Sequence, residues 1–240
     1  MDILSIGNSF STDAQRYLHS IAKADGVELN TFNLFIGGCS LSRHYRNMLS
    51  EQREYELEMN GESTGFKVSM KEALLNRNWD VITIQQVSNE APYYNTYQPY
   101  LNSIAEYVRT CAPKAKIAFH QTWAYEQNSY RLNTELGYSD CTDMSDDIKK
   151  ACNMAADEIK ADFIIPSGEV FECLAKHDLK IHRDTFHASL GLGRYALGML
   201  WYSVLTGNDI SQNKFTDTDE EISAYGIELT KKYIKEITSR

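Results

Sequence analysis

The feature that most constrains this chain is the repeated alternation of short apolar runs with segments of helical periodicity. The runs fall at residues 3–6, 29–36, 79–84, 115–119 and 162–165. Aliphatic, aromatic and β-branched residues dominate them, as expected of strands covered on both faces. After the first run, Ala14, Tyr17, Leu18, Ile21 and Ala22 recur at helical spacing. Further helices are expected at 42–54, 69–76, 99–111, 145–160, 189–205 and 219–237. Residues 55–68, with Asn60-Gly61 at their centre, read as a β-hairpin, an excursion from the sheet. Strands that alternate with helices build a parallel sheet coated on both sides. The chain is therefore read as α/β, a three-layer α/β/α sandwich on a flavodoxin-like parallel sheet of about five strands, in a single domain over residues 1–240.

Open α/β sheets gather their ligands at the carboxyl ends of the strands, so the residues that follow each run carry the functional information. The first run ends in Gly7-Asn8-Ser9-Phe10-Ser11, the second in Gly37-Gly38-Cys39-Ser40, and the third in Gln85-Gln86-Val87-Ser88-Asn89. The fourth ends in His120-Gln121-Thr122-Trp123, which opens a tyrosine- and asparagine-rich segment without periodicity, read as a surface or lid loop. Near the far end stands Arg183-Asp184-Thr185-Phe186-His187. Ser9 has two readings, helix cap or nucleophile, and residues 11–13 offer other caps. The nucleophile reading requires a histidine and a carboxylate that converge on it. Asp184 likewise is either the cap of a helix that starts near Thr185 or the partner of His187.

Composition excludes several classes. A net charge of −9 with no basic cluster argues against a nucleic-acid surface. No stretch approaches the roughly 18 apolar residues of a bilayer span. Met1-Asp2 leads straight into the first run, so cytoplasm is the default location, or secretion where a signal peptide has already been removed. The five cysteines, Cys39, Cys111, Cys141, Cys152 and Cys173, are odd in number and lack C-x-x-C spacing, and so read as reduced thiols. His182, Asp184 and His187 have no further acidic or histidine cluster to complete a metal site, and no metal or cofactor is expected.

Taken in order, these blocks resemble the SGNH, or GDSL-type, hydrolase superfamily. Its serine lies in a Gly-Asp-Ser block, here Gly7-Asn8-Ser9. Its second block supplies an oxyanion-hole glycine, here within Gly37-Gly38, and its last is Asp-x-x-His, here Asp184-Thr185-Phe186-His187. More narrowly, the wording GNSFS, GGCSL, QQVS, HQTWAY and DTFH is similar to a bacterial subgroup long described as a domain of unknown function. Two positions depart from the superfamily pattern. Asn8 replaces the usual aspartate, and the third block, Gly-x-Asn-Asp in the superfamily, has no glycine here. Two amides therefore compete as the side-chain oxyanion donor: Gln86, favoured by its place at the strand end, and Asn89, which aligns with the family asparagine.

The resemblance implies a serine esterase in which His187 accepts the proton of Ser9 and Asp184 orients His187. The Ser9 and Gly38 N–H groups with one amide would bind the oxyanion. It further implies removal of small acyl groups, acetyl on a carbohydrate first among them. The expected partner is a small-molecule or oligosaccharide ester, held by His120, Gln121 and Trp123. The rivals are a lysophospholipase or thioesterase with the same triad, which needs an apolar channel, and a binding protein whose triad is idle.

Overall fold

The computed structural model describes residues 1–239. Seven strands form one sheet: β1 (Asp2–Gly7), β2 (Asn30–Phe35), β3 (Tyr55–Met59), β4 (Glu62–Val68), β5 (Val81–Ile84), β6 (Lys116–Gln121) and β7 (Phe163–Pro166). Their order is β4-β3-β2-β1-β5-β6-β7, and β2, β1, β5, β6 and β7 are mutually parallel. The five parallel strands thus have the flavodoxin-like order, which reverses at β1 and opens a crevice beyond its carboxyl end.

The hairpin differs from the expectation. It is no excursion: β3 pairs antiparallel with β2, and β4 with β3, so the sheet gains two strands. Asn60 and Gly61 both take positive φ (51° and 80°), the geometry of a tight hairpin turn. A Cβ on Gly61 would stand 2.4 Å from the Arg16 carbonyl oxygen, so glycine is needed for the close approach as well.

Nine helices lie among the described residues: α1 (Ser9–Gln15), α2 (Leu18–Ala24), α3 (Leu41–Ser50), α4 (Met70–Leu75), α5 (Tyr100–Cys111), α6 (Cys141–Glu158), α7 (Ser167–Ala175), α8 (Leu192–Thr206) and α9 (Ala224–Thr238). Two apolar cores separate them. Ile3, Ala118 and Ile165 face one core with Leu18, Phe171, Leu197 and Leu200; Leu4, Ile82 and Ile117 face the other with Leu41, Leu74, Ile104 and Ala155. α8 is apolar almost all round because it is buried throughout.

Three helix expectations are revised. The first helix breaks in two at Arg16-Tyr17, where Arg16 turns to Asp219 and Glu62 and the Tyr17 hydroxyl donates to the Leu190 carbonyl. Its cap is Asn8 and not a residue of 11–13. Helix α7 is absent from the expected set, because it begins at Ser167 directly after β7 ends at Pro166, with no loop between them. No described helix is long and apolar enough to cross a membrane.

Candidate active site

The carboxyl end of β1 carries the site. Asn8 caps α1: its Oδ1 accepts the Phe10 N–H (3.0 Å), and its own N–H donates to the Ser11 hydroxyl (3.0 Å). Ser9 is therefore the first residue of the helix, and its N–H has no intrahelical acceptor. Gly7 pairs with Phe35 of the neighbouring strand, which places the Gly37-Gly38 turn beside Ser9. Asn8 Nδ2 ties the two turns together by donating to the Cys39 carbonyl (3.1 Å). Gly38 has φ +61°, a conformation that favours glycine, and the space above its Cα is open. Among the described residues neither its N–H nor that of Ser9 has a hydrogen-bond acceptor.

The loop between α7 and α8 brings the other partners. His187 Nε2 lies 2.8 Å from Ser9 Oγ, and its Nδ1 lies 2.8 Å from Asp184 Oδ2. Asp184 Oδ1 also accepts the His187 backbone N–H (2.9 Å), so one carboxylate fixes ring and main chain together. The ring then carries its proton on Nδ1, and Nε2 accepts from the Ser9 hydroxyl. Desolvation pushes the Asp184 pKa up, but hydrogen bonds from His187 and the Arg183 charge outweigh it, and the carboxyl sits below its usual range.

The loop is held under strain. Thr185, a β-branched residue, has φ +75°, and its carbonyl accepts the Glu126 N–H (2.7 Å). Trp123 Nε1 donates to the Phe186 carbonyl (2.8 Å). Phe186 packs 3.9 Å from the His187 ring, while Phe10 stacks 4.1 Å from Trp123. From the opposite side, Asp13 on α1 accepts the Ala188 N–H (3.1 Å) and pairs with Arg183 and Arg194.

Residues 2–234 match the family model described as Domain of unknown function (DUF4886). The chain belongs to this family. A DUF4886 family protein from Bacteroides uniformis is 29% identical and superposes with a TM-score of 0.91 over 100% of this chain and 95% of that one. A putative SGNH hydrolase from Slackia heliotrinireducens is 23% identical, with a TM-score of 0.63 over 85% and 98%. An acetylxylan esterase from Geobacillus stearothermophilus is 16% identical, with a TM-score of 0.53 over 85% and 91%. The fold is thus that of SGNH hydrolases. No curated protein matches.

Several expected roles in this DUF4886 chain are corrected. Gln86 is not placed as an oxyanion donor, because its amide is committed at both ends. Its Oε1 accepts the N–H groups of Leu41 and Val87 (both 2.9 Å), and its Nε2 donates to Thr96. Asn89 is exposed and has no hydrogen-bond partner among the described residues. His120, Gln121 and Trp123 do not line the surface as substrate ligands; all three are buried. Trp123 lies between Phe10 and Phe171, and His120 is bonded to Gln85 and Ser167. His182 turns from Asp184 and His187 to the Ala124 carbonyl (3.2 Å).

Sequence reasoning missed Asn8, Asp13 and Gln85 as parts of the site. Asp13 did carry a signal, an acidic residue beside Ala14 and Tyr17 on an otherwise apolar helix face. Asn8 carried one as well, being the last residue before the serine at a helix start. Gln85 carried none beyond its strand-end position.

Proposed function

We propose that this chain is a serine esterase that hydrolyses small acyl esters, with acetyl groups on a carbohydrate as the substrate class. The observation that carries this reading is the hydrogen-bonded series Ser9–His187–Asp184 beside two free backbone N–H groups. Ser9 Oγ attacks the acyl carbon while His187 Nε2 takes its proton. The negative charge that develops on the carbonyl oxygen is met by the N–H groups of Ser9 and Gly38, with Asn89 as the remaining candidate for a side-chain donor. Collapse of the tetrahedral species expels the alcohol, which receives the proton from His187. Water, deprotonated by the same imidazole, then releases the acid from acyl-Ser9. Asp184 stays ionised throughout and stabilises the imidazolium.

The short-acyl preference draws on how the surroundings are filled. Phe10, Trp123 and Phe186 stack into a continuous wall behind Ser9 and His187. A cavity of about 250 Å³, lined by Phe171, Leu179 and Ile181 together with Glu126, Glu172 and Lys176, has neither Ser9 nor His187 on its walls. The fold is shared with an acetylxylan esterase and equally with a phospholipase A1, so the choice between carbohydrate and lipid esters rests on the substrate series. A series of p-nitrophenyl esters from acetyl to palmitoyl, run on wild type and Ser9→Ala, tests both parts. Turnover confined to short chains and abolished in Ser9→Ala is expected. Preference for long chains would replace this reading with a lipase, and no turnover of any ester would leave a binding protein.

A further inference from the structure

Behind the nucleophile runs a second polar series, and it holds no charged group. Trp201 on α8 donates its Nε1–H to Ser167 Oγ (3.1 Å), and Ser167 Oγ lies 3.0 Å from His120 Nε2. His120 Nδ1 lies 2.7 Å from Gln85 Oε1, Gln85 Nε2 donates to Asn8 Oδ1 (2.9 Å), and Asn8 Nδ2 donates to the Cys39 carbonyl. His120, Gln85, Ser167 and Asn8 are all buried.

The direction of every bond follows from the chemistry at the two ends. An indole nitrogen only donates, so Ser167 accepts from Trp201, and its own hydroxyl hydrogen goes to His120 Nε2, the direction that the Cys39 carbonyl at the other end imposes through Asn8 and Gln85. His120 then carries its proton on Nδ1 and donates to Gln85 Oε1. That turns Gln85 Nε2 towards Asn8, whose Oδ1 must accept and whose Nδ2 must face Cys39. The Cys39 carbonyl admits only a donor. A reversal anywhere between His120 and Cys39 would set two donors or two acceptors against each other inside the protein and leave buried polar groups unsatisfied. Burial also pulls the His120 pKa down to about 3, which keeps the ring neutral.

We infer that His120 is a positioning residue: through Gln85 and the Asn8 amide, its Nδ1–H tautomer holds the Gly37–Cys39 turn in register with Ser9. Its role rests on the esterase reading only so far as the two turns form an oxyanion hole. The same series explains why asparagine precedes the serine. A carboxylate at position 8 could accept from Gln85 and Phe10 but could not donate to Cys39, and it would bring a buried charge against that carbonyl.

The test compares His120→Asn with His120→Leu. An asparagine places an N–H where Nδ1–H stood and keeps the bond to Gln85, while both variants lose the bond to Ser167 and both lower the melting temperature. Nitrogen-15 NMR of wild type should show His120 as the Nδ1–H tautomer. The amide resonances of Gly38, Cys39 and Ser9 should move in His120→Leu and stay in His120→Asn. With p-nitrophenyl acetate, kcat should fall about tenfold or more in His120→Leu and Asn8→Asp at a KM within about twofold, and by less than about threefold in His120→Asn. An Nε2–H tautomer, or equal resonance shifts and equal kcat losses in the two His120 variants, would overturn the inference. If wild type turns over no ester, the esterase reading fails, and the tautomer and amide resonances still decide the relay.

Discussion

Asp13 offers the sharpest test of how the His187 loop is held. Its side chain is 0% exposed and accepts from Arg183 Nη1 (2.9 and 3.0 Å), Arg194 Nε (2.8 Å) and the Ala188 N–H (3.1 Å). In Asp13→Asn the volume is kept, but two guanidinium groups lose their shared anion and an amide N–H is forced against at least one donor. Removing one partner of a buried pair costs about 3–5 kcal/mol. Here the lower end applies, because Arg183 and Arg194 are 26% and 13% exposed and Arg194 keeps Asp219. At about 2–4 °C per kcal/mol for a chain of this size, the melting temperature should drop by roughly 6–12 °C. Two of the lost contacts come from Arg183 and Ala188, which flank the Asp184–His187 segment, so the imidazole should lose its aim on Ser9. With p-nitrophenyl acetate, kcat should fall by about 10–100-fold with KM little changed. A melting temperature within about 2 °C of wild type would refute the energetic account. The expected thermal loss with an unchanged kcat would refute the positioning account.

The other expectations follow from single contacts. Gly38→Ala meets no steric neighbour, yet a left-handed residue costs about 1–2 kcal/mol and shifts the N–H, so kcat should fall by about 10²–10³ with a loss of only a few degrees in melting temperature. Gln86→Ala should act on stability instead, lowering the unfolding free energy by about 2–4 kcal/mol in denaturant titration while kcat changes less than about tenfold, since it strands the buried N–H groups of Leu41 and Val87. Asn89→Ala should leave stability intact and lower kcat, and a neutral result in both assays would remove it from the oxyanion hole. Acid should weaken the fold through its buried histidines. Burial holds His44 and His120 to about 3 and His182 to about 4, so the unfolded chain binds more protons once pH drops below 6.5. Stability is fully present above that value and declines down to the folded pKa, by about 2 kcal/mol per ring at pH 5. Glu58, raised by burial, works in the opposite direction. His182→Phe should therefore flatten the slope between pH 7 and pH 5 by about 2 kcal/mol in denaturant titrations, and an unchanged slope would show that the ring is charged in the folded state.

The fold was legible because its strands are buried on both faces. A central parallel strand such as Ile82–Ile84 has no solvent face on which polar residues could alternate, so it stands out as an apolar run between helices. The hairpin was legible locally and misjudged globally. Asn60-Gly61 determines its turn, but whether β3 docks on β2 depends on an edge that no short window of sequence describes. Helix α7 was hidden by proximity, since strand and helix meet at Pro166 with no intervening loop to mark the change of periodicity.

The site divides along the same line. Ser9, Gly38, Asp184 and His187 are readable because each stands where a strand or loop ends in small or polar residues. Gln86 and His120 were assigned outward roles on the same ground, that a polar side chain at a strand end faces the crevice. They face inward. Gln86 closes the N-terminal turn of α3 through Leu41, and Gln85 meets Asn8 and His120. Two adjacent glutamines thus serve two different turns, a division decided by tertiary packing and invisible to any count of residues from the strand. The proposed chemistry needs the Ser9 turn and the Gly38 turn, which follow different strands, to hold one geometry. Covalent continuity cannot supply that, so buried amides must. Of the residues that sequence reasoning assigned to substrate, His120 instead joins, through Gln85 and Asn8, the series that reaches the Cys39 carbonyl.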